Sequence, residues 1–367
     1  MKLSKLSLAA VVALGALTTT ASATPLEEAI KGVNVGGFVR LRIYNQSDEA
    51  SQERYRISAP ITFKMPVADN LTAGVTIRGE SSTNDPMGGG NAGIGSTSTN
   101  FGMAKAWFQY ATADYSVKMG RYEIATPWTD PGYAGSRGDG ILAMYTGIEG
   151  WTLAAASFVN TNEGAGDENL HAVAAIGSIG PVNAQVWATR QSNLIDNSIF
   201  AQLDGKFENF TAAVQMNVLT LDDDVVAAGA EDKGTFWGAK VGYAQDNFKL
   251  CVGYTSNDDD QGTYELNADN GHMIKAGKQL YYDTSNAAGA DTAFVTASAT
   301  FGKVGVGAGY ISSEDIGAAN VDGDEFYGQV SYAYAKNFKT TVYYSAMDTD
   351  LARGDNDEIR AEFKYSF

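Results

Sequence analysis

The final ten residues alternate without interruption. Ile359, Ala361, Phe363, Tyr365 and Phe367 share one face of a strand, while Glu358, Arg360, Glu362, Lys364 and Ser366 share the other. The same period of two runs from Val33, where Val33, Val35, Val39, Leu41 and Ile43 stand opposite Asn34, Phe38, Arg40, Arg42 and Tyr44. The next segment repeats it, with Tyr55, Ile57, Ala59, Ile61 and Phe63 opposite Arg54, Arg56, Ser58, Thr62 and Lys64. One face demands an apolar medium and the other demands water. Arg or Lys facing lipid at the bilayer midplane costs about 2–4 kcal/mol each. Turning Arg40, Arg42, Arg54 and Arg56 to lipid therefore costs on the order of 10 kcal/mol, as much as a whole domain's stability. The arginine face is assigned to a lumen.

Continued along the chain, the pattern predicts an all-β fold, a transmembrane antiparallel β-barrel of about 18 strands. A turn recurs between alternating segments: Asp69-Asn70-Leu71, Glu208-Asn209-Phe210, Asp246-Asn247-Phe248 and Lys336-Asn337-Phe338. It reads as a tight hairpin on the periplasmic side, with Asn in the left-handed conformation and the large apolar residue starting the next strand. Long connections are expected at Thr83–Asn100, Tyr122–Asp139, Thr161–Asn169, Gln191–Asn197, Leu221–Lys233, Ser256–Asp291, Ser313–Asp322 and Met347–Asp357. Short turns on one side and long loops on the other are the asymmetry of outer-membrane barrels, and an even strand count returns both termini to the periplasm. A terminal aromatic fits the strand that closes such a barrel, because hydrocarbon tolerates no open sheet edge. Pro60 is the misfit in its strand and predicts a bulge. Alternation is weakest in the Ala-rich stretch from Ile141 to Ile179.

The address agrees. Lys2 and Lys5, an apolar run from Leu6 to Leu17 and Ala21-Ser22-Ala23 make residues 1–23 a cleavable export signal, leaving 24–367 as the barrel. Thr24–Lys31 suits one short N-terminal helix, with Pro25 at its start and acidic residues in its first turn. The mature chain carries 24 Lys plus Arg (26 − 2) against 43 Asp plus Glu, a net charge of −19, which argues against nucleic acid as a partner. A lone cysteine, Cys251, allows no intramolecular disulfide. After Pro181 no proline follows, as suits a continuous sheet in which every amide is needed.

Several stretches resemble the Campylobacter-type major outer membrane porins of epsilonproteobacteria. These are Ala23-Thr-Pro-Leu-Glu-Glu-Ala-Ile-Lys31 followed by Val33-Asn-Val-Gly-Gly37, then Trp128-Thr-Asp130, Gly150-Trp-Thr-Leu-Ala-Ala155, and Tyr332-Ala-Tyr-Ala-Lys-Asn-Phe338 through to Phe367. The resemblance implies an eighteen-stranded barrel, a homotrimer, passive diffusion of ions and small hydrophilic solutes, and an acidic constriction loop associated with calcium in some members. Asp130 is the residue that carries over. The acidic residue expected soon after it is replaced in Tyr133-Ala-Gly135, and Asp139 arrives later.

The segment 122–139 mixes turn formers, aromatic residues and charge, as a loop folded into a lumen requires, so Glu123, Asp130, Arg137 and Asp139 are the candidate constriction residues. Arg40, Arg42, Arg54, Arg56, Lys64, Arg78 and Arg360 are the candidate pore lining, with Glu53, Glu80, Glu358 and Glu362 as potential partners. The acidic runs Asp222–Asp224 and Asp258–Asp260 lack the Gly and terminal Glu of a calcium loop and read as solvated surface, or as weak divalent bridges to lipopolysaccharide. No cofactor is expected apart from that calcium. His171 and His272 lie in no nucleophile or metal motif, so catalysis is not expected. A mild cation preference follows from the acidic balance. The rival reading is a surface adhesin or receptor barrel whose loops bind an external partner, with pore activity secondary.

Overall fold

The computed structural model describes residues 32–47, 52–82, 100–130, 135–162, 169–226, 231–259, 261–262, 272–284, 286–351 and 354–367. The export signal expected at 1–23, the helix expected at 24–31 and nearly all of the loop expected at 83–100 lie outside the described residues. Eighteen strands follow in order: β1 Asn34–Gln46, β2 Gln52–Ala68, β3 Leu71–Ser82, β4 Asn100–Ala111, β5 Tyr115–Glu123, β6 Arg137–Ile148, β7 Trp151–Val159, β8 Leu170–Ile179 and β9 Val182–Gln191. The second half holds β10 Ile195–Phe207, β11 Phe210–Leu221, β12 Lys233–Gln245, β13 Phe248–Asn257, β14 Asp291–Phe301, β15 Val304–Ile316, β16 Val321–Ala335, β17 Phe338–Thr349 and β18 Asn356–Ser366.

Each strand pairs antiparallel with its sequence neighbours, and β1 also pairs with β18 from Phe38↔Ser366 to Gln46↔Glu358. The sheet is therefore closed and has no free edge, the condition for a strand structure in hydrocarbon. Gly37 and Phe367 complete the seam by exchanging backbone hydrogen bonds of 2.9 and 3.0 Å. The Pro60 carbonyl approaches Gly37 so closely that any Cβ there would collide with it, which is why glycine stands at this position.

Alternation sorts the wall into two faces. Val39, Val214, Val241, Val252, Val330 and Ile359 are outward and exposed, whereas Arg40, Ser58, Asn217, Glu325 and Ser345 on the inner parity are buried. Outward aromatics gather near the short turns, as Phe210 with Tyr243 (ring centroids 5.0 Å apart) and Tyr365 with Phe367 (6.1 Å). Others, such as Trp237 with Tyr254 (5.3 Å), lie towards the long loops. An aliphatic band between two aromatic girdles is what a bilayer selects. Placing a guanidinium in that band is expected to cost about 2–4 kcal/mol. We expect the Val252→Arg protein to lose stability by that amount in urea titrations of refolding into lipid vesicles; an unchanged midpoint would contradict a lipid-facing β13.

Four sequence expectations need correction. Pro60 makes no bulge: β1 and β2 keep one register on either side of it, from Gly37↔Ile61 to Arg40↔Ser58, and β2 pairs with β3 straight through Pro60↔Arg78. The irregularity sits instead between Pro66 and Ala68, beside the turn, where a skipped ladder bond disturbs fewer neighbours. The left-handed residue of the repeated turn is not always Asn. It is Asn70 in the first copy, but Glu208 and Asp246 in the next two, and neither Lys336 nor Asn337 in the last. Finally, two long connections are short: Gln191–Asn197 contracts to 192–194, and Ser313–Asp322 to a single 3-10 turn at Gly317–Ala319.

Candidate functional site: a charged lumen with two inward segments

The charged wall follows from register. On the inner parity Arg42 stands beside Glu362 of β18 and Arg56 of β2, Arg40 beside Lys364 and Ser58, and Tyr44 beside Arg360 and Arg54. Ser58 in turn faces Glu80, and Pro60 faces Arg78. Two carboxylates organise most of these cations. Glu362 accepts from Arg42 Nε at 2.6 Å and lies 3.6 Å from Arg360 and 3.9 Å from Arg40. Glu80, buried, pairs with Arg56 at 2.5 Å and with Arg78. Aromatic rings hold the guanidinium planes: Arg360 lies 5.1 Å from the Tyr44 centroid and 5.4 Å from that of Tyr343. Glu358 serves Gln46 and Tyr343 rather than an arginine, and the Glu53 side chain lies outside the described residues. Arg54 binds Gln46 and stacks near Tyr44, 6.0 Å from its centroid. Lys64 continues the inner parity of β2 towards the periplasmic end.

The connection between β5 and β6 turns into the barrel. Its neck is tied by Ile124 N donating to Ser136 O (2.9 Å), and Ser136 N donates to Asp130 O (2.6 Å). Thr129 braces the turn, donating from Oγ1 to Ile124 O (2.6 Å) and accepting from Thr126 N (2.9 Å). At the tip, Trp128 is fully buried. Its Nε1 donates to Asn217 Oδ1 on β11 (2.9 Å), and its ring meets Phe200 of β10 edge-on, centroids 6.2 Å apart. Phe236 of β12 and Met273 complete this cluster. The loop thus crosses from one wall to another.

A second segment, 272–284, also folds inward. His272 N donates to Pro127 O of the first loop (2.9 Å), Ile274 N to Gln215 Oε1 of β11 (2.6 Å), and Leu280 is fully buried with Ile311, Ile316 and Met347. It contains a four-residue helix, Tyr281–Thr284. Burial lowers the pKa of the Lys278 ammonium, against the opposing pull of Glu325. The sequence pattern predicts a long loop over Ser256–Asp291, and the apolar residues Met273, Ile274 and Leu280 inside it are the signal that it turns inward.

The four constriction candidates separate. Asp130 is buried within the inward loop. Glu123, at the end of β5, pairs with Lys105 Nζ (3.1 Å) and Lys118 Nζ (3.8 Å). Arg137 opens β6 opposite Glu123, and its backbone N–H donates to the Asn162 side chain. Asp139 does not face the lumen: it lies on the outer parity of β6, beside outward Val159, and pairs with Arg121 at 3.1 Å. It belongs to a strand rather than to the loop, so register decides its face. Among the described residues, the calcium implied by the resemblance finds no cage. No group of three or more acidic, His or Cys side chains converges among the described residues, and Asp130 and Asp139 stand on different faces of the wall.

Comparison with known proteins places this arrangement. Residues 1–163 match the family described as Campylobacter major outer membrane protein. No curated protein matches the chain. Among solved structures, OccAB1 of Acinetobacter baumannii superposes with a TM-score of 0.76 at 15% identity, covering 95% of this chain and 99% of that one. OccK3 (OpdO) of Pseudomonas aeruginosa gives 0.75 at 14% identity, covering 93% and 97%. A BenF-like porin from Pseudomonas fluorescens gives 0.72 at 14% identity, covering 91% and 98%. At these identities the structures share the fold.

Proposed function

We propose that this outer-membrane β-barrel is a porin through which ions and small hydrophilic solutes diffuse passively, and that it assembles as a homotrimer. The observation that carries the reading is the inner face of β18, β1, β2 and β3: arginine, lysine and glutamate side chains held in place by register, pairing and aromatic stacking. A buried core would not carry so many charges; a water-filled lumen solvates them and uses their field.

Two fields oppose each other in such a lumen. The arginine wall favours anions, while the mature charge of −19, 24 Lys plus Arg against 43 Asp plus Glu, favours cations at the mouth. Exposed mouth charges are screened over about 10 Å at 0.1 M salt, so their influence fades as salt rises. We therefore expect a mild cation preference at low salt that weakens towards neutrality in molar salt. Reversal potentials under a KCl gradient test this. Arg40→Gln with Arg54→Gln is expected to strengthen the preference for K⁺, and Asp130→Asn to weaken it, whereas Asp139→Asn, on the outer face, leaves it unchanged. Clear anion selectivity of the unmodified protein at low salt would mean that the wall dominates and would overturn the proposed preference.

A further inference from the structure

The inward segment 272–284 meets the wall at one acidic side chain that the channel reading does not require. Glu325, on the inner parity of β16, is fully buried. Its Oε1 accepts from Lys278 N (2.6 Å) and from Ser345 Oγ (2.8 Å), and its Oε2 accepts from Gln279 N (3.0 Å) and Leu280 N (2.9 Å). Three consecutive backbone N–H groups curled round one carboxylate form an anion-binding nest. Gly277, at φ +107°, permits the curl, and a Cβ there would stand 2.6 Å from Glu325 Oε2. The next side chain secures the register: Gln279 Nε2 donates to Ser345 Oγ (3.0 Å), while Asn356 Nδ2 donates to Gln279 Oε1 (2.5 Å). The segment thus supplies three of the four donors to this carboxylate, and they reach it only in the closed arrangement.

We propose that Glu325 is a latch holding 272–284 in the lumen, which makes this segment a second constriction element, and that the exclusion limit is set jointly by it and by the loop carrying Trp128. The inference rests on the porin reading. Glu325→Gln replaces an oxygen that faces two donors with an amide that itself donates, which opens the nest from the wall side. Gly277→Val opens it from the segment side and leaves the strands untouched.

The test uses the full-length protein in planar bilayers, together with swelling of proteoliposomes in uncharged sugars of increasing size. Both variants are expected to raise single-channel conductance and to shift the sugar cut-off upwards. Wild-type conductance and cut-off in Gly277→Val, or values below them, would overturn the latch, and this variant decides alone if Glu325→Gln fails to assemble. Absence of any conductance in the unmodified protein would instead overturn the porin reading, and the latch with it.

Discussion

Deleting Phe367, or replacing it with Asp, is expected to lower the yield of assembled barrel by more than about tenfold. The residue makes both backbone bonds that finish the β1–β18 seam at Gly37, and its side chain stands outward beside Tyr365. Deletion leaves the N–H and C=O of Gly37 unpaired at a lipid-exposed edge, at about 1–3 kcal/mol for each group, and about 1.4 kcal/mol is already tenfold in a folding equilibrium. Phe367→Asp keeps the bonds but places a carboxylate where the aromatic anchor meets the interface. Folded protein in outer-membrane fractions, counted as the heat-modifiable form in cold electrophoresis, measures this. Phe367→Tyr should assemble normally. Normal yield for Phe367→Asp would remove the role given to the terminal aromatic.

Trp128→Ala is expected to enlarge the pore without impairing assembly. The tryptophan is fully buried, hydrogen bonded to Asn217 across the lumen and packed on Phe200, so its loss costs the loop's inward position about 3–5 kcal/mol. The pairing of β10 with β11 and of β11 with β12 does not involve it. Single-channel conductance should rise, and Trp128→Phe, which keeps a ring but loses the N–H, should fall between the two. Unchanged conductance in Trp128→Ala would mean that this loop does not limit the lumen.

The strands and their two faces were legible because a period of two repeats over eleven or more residues in elements such as β1 and β18, and because misplacing Arg40 or Arg42 is costly. What failed was local. Asp139 reads as the end of a loop rich in turn formers, yet β6 already begins at Arg137 and register turns Asp139 outward to Arg121. Pro60 violates a strand preference, but the chain absorbs it by omitting pairing with β1 around Phe38 rather than by shifting register. The inward course of 272–284 could not be read from periodicity, because it is held by Glu325 and Gln215, residues from strands far away in sequence. Only Met273, Ile274 and Leu280, too apolar for a loop in water, pointed to it.

If the closed sheet encloses water, ions must cross the bilayer through it. Single-channel recording of the purified, refolded protein in a planar bilayer in molar KCl tests it most directly. We expect stepwise insertions with stable ohmic currents, whose size rises in Trp128→Ala. Correctly folded, heat-modifiable barrel that inserts without carrying any current would contradict it.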